Sequence, residues 1–316
     1  MRSSALLLVA VLGLGGCTDP ASKEVLSGSA MGTTWTLTLR GGQKVAAGRQ
    51  AAVEGRLEEW EQALSRWRAD SALMRFNASR STDWQDVDGH LAKAVAMAQG
   101  IAAKTEGALD ITIAPLVRLW GFDAKGPPTA LPTEAEIAAA KADCGWRKIE
   151  VTVDPPRLRK GHAELTLNVD AVAEGLAVDD LAGMLKALGD DDFLINLGGE
   201  VLACGGPWAA GIQMPDAAPG QTFTTLQLQD EALATSGVYR QRFERGGQSF
   251  SHVLDPKTGK PVTHAVASVS VVAKTCAEAD AWATALLVMG KEAGQPVAEI
   301  LGLEVVWIGE TTAVRR

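Results

Sequence analysis

A short segment near the carboxyl end of the chain carries two oxygen-bearing side chains at helical spacing. Thr275 is followed three residues later by Glu278, a capping-box pattern that predicts the start of a helix. Asp280 and Thr284 are four residues apart and therefore lie on one face of that helix. A carboxylate and a hydroxyl suit a hard cation such as Mg²⁺. The plainer alternative is an acid stabilised by the helix dipole and a threonine that only packs.

Three other places in the sequence are weaker candidates for ligand binding or catalysis. Asp110 lies in a nearly apolar run, so its carboxylate must be exposed, well hydrogen-bonded or in contact with a ligand. His252 is a candidate proton carrier because free histidine titrates near neutrality, although a structural histidine is the simpler interpretation. The Gly198-Gly199 pair either brings backbone amides close to an anion or closes a tight turn.

The amino-terminal residues follow the layout of a bacterial secretory signal. A positive charge at Arg2 precedes the apolar residues 5–14, which are too few for a membrane-spanning helix of about 20 residues. Leu14-Gly15-Gly16-Cys17 resembles the lipobox of bacterial lipoproteins, whose cysteine is acylated with fatty acids such as palmitate. A plain secreted protein with an incidental cysteine is the alternative. We expect a signal peptide at 1–16, a tether at 17–24 and one folded domain at 25–316.

The composition describes a globular protein that does not bind nucleic acid. The 316 residues are 47% hydrophobic and 22% charged, and the net charge of −8 opposes binding to a phosphate backbone. The cysteines beyond Cys17 have no metal-type spacing, so neither a disulfide framework nor a zinc site is predicted. Nine tryptophans against one tyrosine are unusual; an aromatic face would stack on a planar cofactor, but most must belong to the core.

Hydrophobic periodicity predicts the elements that position these side chains. Helices are expected at 50–67, 90–105, 133–142, 170–188 and 275–289, the last ending at Gly290. Strands are expected at 31–39, 148–153, 164–169, 193–197 and 267–274. Glycine-containing turns favour antiparallel pairing. The predicted fold class is therefore α+β, with mixed, largely antiparallel sheets and packed helices in two lobes that enclose an active-site cleft.

Taken in order along the chain, these segments resemble the ApbE-type FAD:protein FMN transferases, also called flavin transferases. The similarity covers nearly all of the chain after the signal. Its blocks are Met31-Gly-Thr-Thr-Trp35, residues 64–77, residues 107–122, residues 168–179, Asn196-Leu-Gly-Gly199, Thr235-Ser-Gly-Val-Tyr239, His252-Val-Leu-Asp-Pro256 and residues 279–284. Three positions depart from residues common in the family: Asn168 for Asp, Glu174 for Lys and Leu176 for Tyr.

The resemblance implies an activity and a set of site residues. The activity is Mg²⁺-dependent transfer of FMN from FAD to a Thr or Ser hydroxyl of a target protein, which releases AMP. The metal would be held by the backbone carbonyl of Ala171 and the side chains of Asp280 and Thr284. His252 is the expected base, with Asp280 as the alternative. The implied FAD contacts are Met31, Trp67, Ala108, Leu109, Asp110, Asn168, Glu174 and Val253.

The same resemblance indicates where the protein works and on what. We expect a lipid-anchored protein of the bacterial cell envelope, on the periplasmic face of the inner membrane, whose acceptors are exported domains of respiratory membrane complexes. Two alternatives stay open. One is an FAD pyrophosphatase, in which water replaces the hydroxyl acceptor and FMN and AMP are released. The other is a non-catalytic lipoprotein that binds and stores FAD.

Overall fold

The computed structural model describes residues 23–40, 48–215 and 220–309, together with the backbone of 313–314. The predicted signal peptide and Cys17 lie outside these ranges. The first strand begins at Lys23, so the last two residues expected in the tether, 23 and 24, already belong to a sheet. Within the described ranges, no helix combines the length and apolar character that a bilayer crossing requires.

Within the residues that the structure describes, most helices lie in the first half of the chain, and ten consecutive strands separate the last two helices. The helices are α1 (Arg49–Leu64), α2 (Ala72–Ala78), α3 (Gly89–Lys104), α4 (Ala114–Leu119), α5 (Glu134–Asp143), α6 (Asp170–Ala187) and α7 (Cys276–Leu301). The strands are β1 (Lys23–Ala30), β2 (Thr33–Arg40), β3 (Gln85–Asp86), β4 (Ile149–Val153), β5 (Pro156–Lys160), β6 (Phe193–Leu197), β7 (Glu200–Cys204), β8 (Trp208–Gln213), β9 (Thr222–Leu228), β10 (Ala232–Gly237), β11 (Arg242–Arg245), β12 (Gln248–Ser251), β13 (Leu254–Asp255), β14 (Lys260–Pro261), β15 (Val266–Ala273), β16 (Glu304–Gly309) and β17 (Ala313–Val314).

An eight-stranded sheet in the order β1-β2-β6-β7-β10-β15-β16-β17 forms the centre of the described structure. Each neighbouring pair is antiparallel. In β2, Trp35, Leu37 and Leu39 point into the core, as the alternating sequence predicts. The α+β class with largely antiparallel sheets is confirmed.

The helices α6 and α7 cover this sheet and pack against each other. The helix predicted at 275–289 is present and is interrupted where expected, because Gly290 has φ 71° and ψ 168°. A side-chain carbon at Gly290 would lie 2.8 Å from the His264 ring, so the break also needs a residue without a side chain. A second helical stretch then continues to Leu301.

The segment 164–169 is not the predicted strand. Its backbone bonds to a side chain instead of a neighbouring strand: Asn77 Nδ2 donates to Leu167 O (2.9 Å), and Leu167 N donates to Asn77 Oδ1 (2.7 Å). The strand β4 pairs with β5, which was not predicted because it begins at the second of two consecutive prolines. The first predicted helix also stops early, at Leu64, because Ser65 is extended. Trp67 therefore lies in a turn.

A smaller apolar cluster lies apart from the main core. It contains Leu116, Trp120, Ile137, Cys144 and Leu254 as buried members. The β11–β12 hairpin attaches to it through stacked aromatic rings, with Phe250 on Trp120 at a centroid distance of 5.6 Å. Val253 belongs to the main core and Leu254 to the smaller cluster. The residue before them, His252, therefore lies where the two apolar groups meet.

Candidate active site

The helices α6 and α7 cross at a glycine. A side-chain carbon at Gly175 would lie 2.7 Å from the carbonyl oxygen of Cys276, so only glycine permits this separation. Asp179 of α6 accepts hydrogen bonds from the backbone N–H groups of Cys276 (2.7 Å) and Ala277 (2.9 Å). These bonds satisfy two free donors at the start of α7 and place a negative charge at its positive end. The crossing is thereby fixed from both helices.

This crossing brings two of the predicted metal ligands together. The N–H of Gly175 approaches Asp280 Oδ2 at 3.3 Å. In an α-helix the same N–H faces the carbonyl four residues earlier, which is that of Ala171. The Ala171 carbonyl and the Asp280 carboxylate therefore face a common donor. Thr284 follows Asp280 by one turn, and its hydroxyl lies 2.9 Å from that of Ser236.

Two further carboxylates surround Asp280. Glu174 belongs to α6 and Glu200 begins β7; a carbon added at Gly198 would lie 3.3 Å from Glu174 Oε1 and 3.1 Å from Glu200 Oε2. Burial raises the pKa of Asp280 well above its usual range, and the charge of Glu200 raises it further. Burial also raises the pKa of Glu174 strongly, aided by the charges of Glu200 and Asp280. The guanidinium of Arg240 opposes these shifts.

The donor set fits a hard divalent cation. Asp280 is only 6% exposed and lies among negative charges, and Glu200 Oε2 is buried without a hydrogen-bond partner in the described residues. Repulsion among buried carboxylates is relieved either by protonation or by a bound cation. Within the described ranges, no three His, Cys, Asp or Glu side chains form a metal centre. The predicted Mg²⁺ ligands are of another kind, because they are one carboxylate (Asp280), one hydroxyl (Thr284) and one backbone carbonyl (Ala171).

His252 follows β12 directly and is half-buried. Its Nδ1 lies 3.1 Å from the carbonyl oxygen of Gln241, and because a carbonyl only accepts, the ring hydrogen must be on Nδ1. Nε2 is then free to accept a proton. Burial lowers the pKa of His252 to about 4, and the positive charges of Arg240 and Arg66 act in the same direction. The ring is therefore neutral at physiological pH.

Asp110 is one of the residues predicted to contact FAD, and protein donors already occupy it. Oδ1 accepts from the backbone N–H (2.8 Å) and the hydroxyl (2.6 Å) of Thr112, and Oδ2 accepts from the N–H of Trp146 (3.0 Å). Of the three outcomes that the sequence allows for this carboxylate, the structure has the well hydrogen-bonded one. The neighbouring side chains of Ala108 and Leu109 are buried.

Asn168 and Trp67, two other predicted FAD contacts, lie near the start of α6. Asn168 N donates to the carbonyl of Ile111 (2.7 Å), which joins it to the Asp110 segment. Asp170 binds Arg66 Nε through Oδ2 (3.0 Å), and Arg66 stacks on the exposed ring of Trp67 at 4.4 Å. Val253 is 9% exposed and adjoins His252. The structure thus links most of the predicted residues, while their contacts with FAD stay predictions.

Several residues of this site were not predicted from the sequence. Asp179, Glu200 and Arg240 fall inside or beside the matched blocks, but their types at those positions are also common on protein surfaces. Glu200 directly follows the Gly198-Gly199 turn, so an acid after a glycine pair was the one available hint. Glu200 is buried and lies near α6 because β7 packs against that helix, a contact that the local sequence does not reveal.

A cavity of about 330 Å³ lies elsewhere, between α2, α4 and residues 163–166. Its lining includes Arg80, Arg118 and Thr166. None of the residues predicted for metal or FAD lines it, so it contributes nothing to the candidate site.

The chain is similar to known proteins over most of its length. The family model described as "ApbE family" matches residues 31–307. The FAD:protein FMN transferase of Klebsiella pneumoniae is 38% identical over 319 aligned positions, which cover 96% of this chain and 91% of the relative. The protein of the same name from Escherichia coli K12 is 36% identical, with the same coverage.

Solved structures show the same fold. The flavin transferase ApbE from Vibrio cholerae superposes with a TM-score of 0.83 at 35% identity, covering 92% of this chain and 95% of that one. The apo form of the Pseudomonas stutzeri flavinyl transferase ApbE gives a TM-score of 0.82 at 32% identity, covering 93% and 95%. On this evidence of sequence and structure, the chain belongs to the ApbE family.

Proposed function

We propose that this protein is an FAD:protein FMN transferase that joins FMN to a Thr or Ser hydroxyl of an acceptor protein and releases AMP. Family membership over residues 31–307 supports the reaction class. The observation that supports this site is the α6–α7 crossing, where the Gly175 N–H faces Asp280. Arg240 lies near enough to both Asp280 and His252 to lower the pKa of each, which links the carboxylate to the histidine.

Mg²⁺ would be held by the carbonyl of Ala171, the carboxylate of Asp280 and the hydroxyl of Thr284. When bound, the ion supplies Lewis-acid neutralisation of the negative charge on the diphosphate oxygens of FAD. The three protein donors are hard oxygens, which is the ligand type that Mg²⁺ prefers. The excess of carboxylates around Asp280 favours the cation further.

His252 would take the proton of the acceptor hydroxyl at Nε2. The hydroxyl oxygen forms a bond to the phosphorus of the FMN half, and the bond from that phosphorus to the bridging oxygen breaks. The electron pair leaves with AMP, and the proton passes to His252. The Nδ1 contact with Gln241 holds the ring in the tautomer that this step needs.

Arg240 and Arg66 would bind and orient the charged part of FAD. Arg240 is exposed and lies beside the turn at Gly199, where a side-chain carbon would be 2.9 Å from its Nη2. Arg66 connects the Asp170 carboxylate with the ring of Trp67. Both guanidiniums lie near enough to His252 to lower its pKa, so an anion bound between them would also lie near the base.

The test is the mass of an acceptor protein after incubation with FAD, Mg²⁺ and the soluble domain. Addition of one FMN to a Thr or Ser, together with AMP release, is the expected result. An acceptor whose target hydroxyl is replaced by Ala is the control. Free FMN with an unmodified acceptor would instead identify an FAD pyrophosphatase, and bound FAD without AMP would identify a flavin-storing protein.

We propose further that Cys17 is lipidated and that the domain works on the periplasmic face of the inner membrane, on exported domains of respiratory membrane complexes. The lipobox-like Leu14-Gly15-Gly16-Cys17 supports the anchor. Cys17→Ser should move the protein from the membrane fraction to the soluble fraction without loss of transferase activity. A membrane-bound Cys17→Ser variant would contradict the anchor.

A further inference from the structure

The turn between β1 and β2 has an unusual backbone conformation. Met31 has φ 52° and Gly32 has φ 78°, so both residues occupy the left-handed region. This is the pattern of a type I′ hairpin turn, in which the first position is normally Asn, Asp or Gly. Methionine has neither glycine's freedom nor a short polar side chain that would stabilise the turn. Another group must therefore hold Met31 in place.

Glu61 on α1 supplies that contact. Its Oε2 accepts the backbone N–H of Met31 at 2.9 Å, across 30 residues of sequence. The side chain of Glu61 is 23% exposed, so the bond is partly shielded from water. A hydrogen bond to a charged acceptor is stronger than one between neutral groups. Glu61 is thus positioned to stabilise the strained residue directly.

The second oxygen of Glu61 reaches a different predicted FAD contact. Oε1 accepts from Arg68 Nε at 3.2 Å, and Arg68 is also bound by Glu58 through Nη2 at 2.8 Å. Arg68 follows Trp67, whose side chain is 56% exposed. One carboxylate therefore ties the turn that carries Met31 to the turn that presents Trp67.

We propose that Glu61 is a positioning residue for FAD. It holds the Met31 backbone in its left-handed conformation and, through Arg68, fixes the turn that presents Trp67, so that both residues are held in place for the nucleotide. The inference rests on the proposed function, because FAD binds here only if that function holds, and Met31 and Trp67 are FAD contacts that the family resemblance implies. Glu61 itself touches neither the metal ligands nor His252 in any described contact. Its removal should affect FAD binding more than the chemical step.

The experiment compares Glu61→Gln with a matched control, Glu58→Gln, on the same helix. Both variants lose one charge that contacts Arg68, but only Glu61 contacts Met31. FAD affinity is measured by fluorescence without acceptor, and KM and kcat are measured with acceptor. We expect Glu61→Gln to bind FAD about tenfold more weakly and Glu58→Gln less than about threefold more weakly, with kcat at saturating FAD unchanged in both.

A double-mutant cycle with Met31→Gly separates positioning from simple structural damage. Glycine adopts positive φ without help, so Glu61→Gln should change the FAD affinity of the Met31→Gly protein less than about twofold. Equal losses in the two glutamate variants, an unchanged affinity in Glu61→Gln, or a full tenfold loss in the glycine background would each overturn the inference. A wild-type protein that does not bind FAD would instead refute the proposed function.

Discussion

Two aspartates of this protein are equally buried but have different surroundings. Asp110 is 7% exposed and Asp280 is 6% exposed. Asp110 accepts three hydrogen bonds of 3.0 Å or less from Thr112 and Trp146. Asp280 accepts one backbone hydrogen bond at 3.3 Å and lies beside the carboxylates of Glu174 and Glu200. The first carboxylate is satisfied by hydrogen bonds from its own protein, whereas the second keeps few donors and lies among other acids.

The comparison separates stability from function. Hydrogen bonds from protein donors favour the charged form of Asp110 and oppose the effect of burial on its pKa. At Asp280 the neighbouring charge of Glu200 adds to the effect of burial. A protein retains such an unfavourable cluster where a bound cation or a substrate compensates for it. Replacement of the two aspartates should therefore have different consequences.

The largest effect is expected from Asp280→Asn. Loss of the charged ligand should lower kcat for AMP release by about a thousandfold, the upper range for one preorganised electrostatic group. Stability should stay the same or rise, because the substitution removes charge repulsion. Steady-state kinetics and urea denaturation measure the two quantities. Full activity in this variant would contradict the metal assignment.

The next effect concerns the proposed base. His252→Asn should lower kcat by about a hundredfold, within the range for a general base. Because the pKa of His252 is lowered to about 4, the wild-type rate at saturating Mg²⁺ should not fall between about pH 7 and about pH 5 through this group. A wild-type rate that falls near neutral pH, in a profile where His252→Asn shows no such fall, would contradict this prediction. It would mean that the pKa of His252 is higher than its environment implies.

Asp110→Asn should act on stability. The amide replaces one acceptor oxygen with an NH₂ group, which would face a backbone or hydroxyl donor. The loss should be about 2 kcal/mol of unfolding free energy, as for a buried donor that loses its partner. Urea denaturation of this variant beside Asp280→Asn tests the comparison directly. Equal stability losses at the two positions would remove the distinction between them.

The smallest effect is a pH dependence of the metal-free protein. The folded-state pKa values of Asp280 and Glu174 lie above their unfolded values, so the folded state binds more protons. Stability is then complete below the ordinary carboxyl pKa of about 4 and falls as the pH rises through the raised values. We expect the unfolding free energy of the metal-free protein to decrease measurably over this pH range. Saturating Mg²⁺ should suppress this slope, and so should Asp280→Asn; a slope unaffected by either would point to other groups.

Much of the local structure was predictable because it depends on neighbours in sequence. Thr275 caps α7 by accepting the N–H of Glu278, and Gly290 interrupts the helix, both as the spacing indicates. The failures have two different origins, one tertiary and one local. Residues 164–169 have a strand-like pattern, but Asn77 satisfies the Leu167 backbone and leaves no ladder to form. The helices α2 and α4 are too short to produce a periodic signal.

The sequence by itself determined the α+β class, the helix that carries Asp280 and Thr284 on one face, and the family resemblance, since each depends on short-range spacing or on ordered motifs. Only the tertiary structure decided which groups meet. Gly175 reaches Asp280 across 105 residues, Asp179 reaches the start of α7 across 97, and Glu61 reaches Met31 across 30. These contacts depend on the crossing of packed helices and strands, and periodicity along one segment contains no information about which other segment it will face.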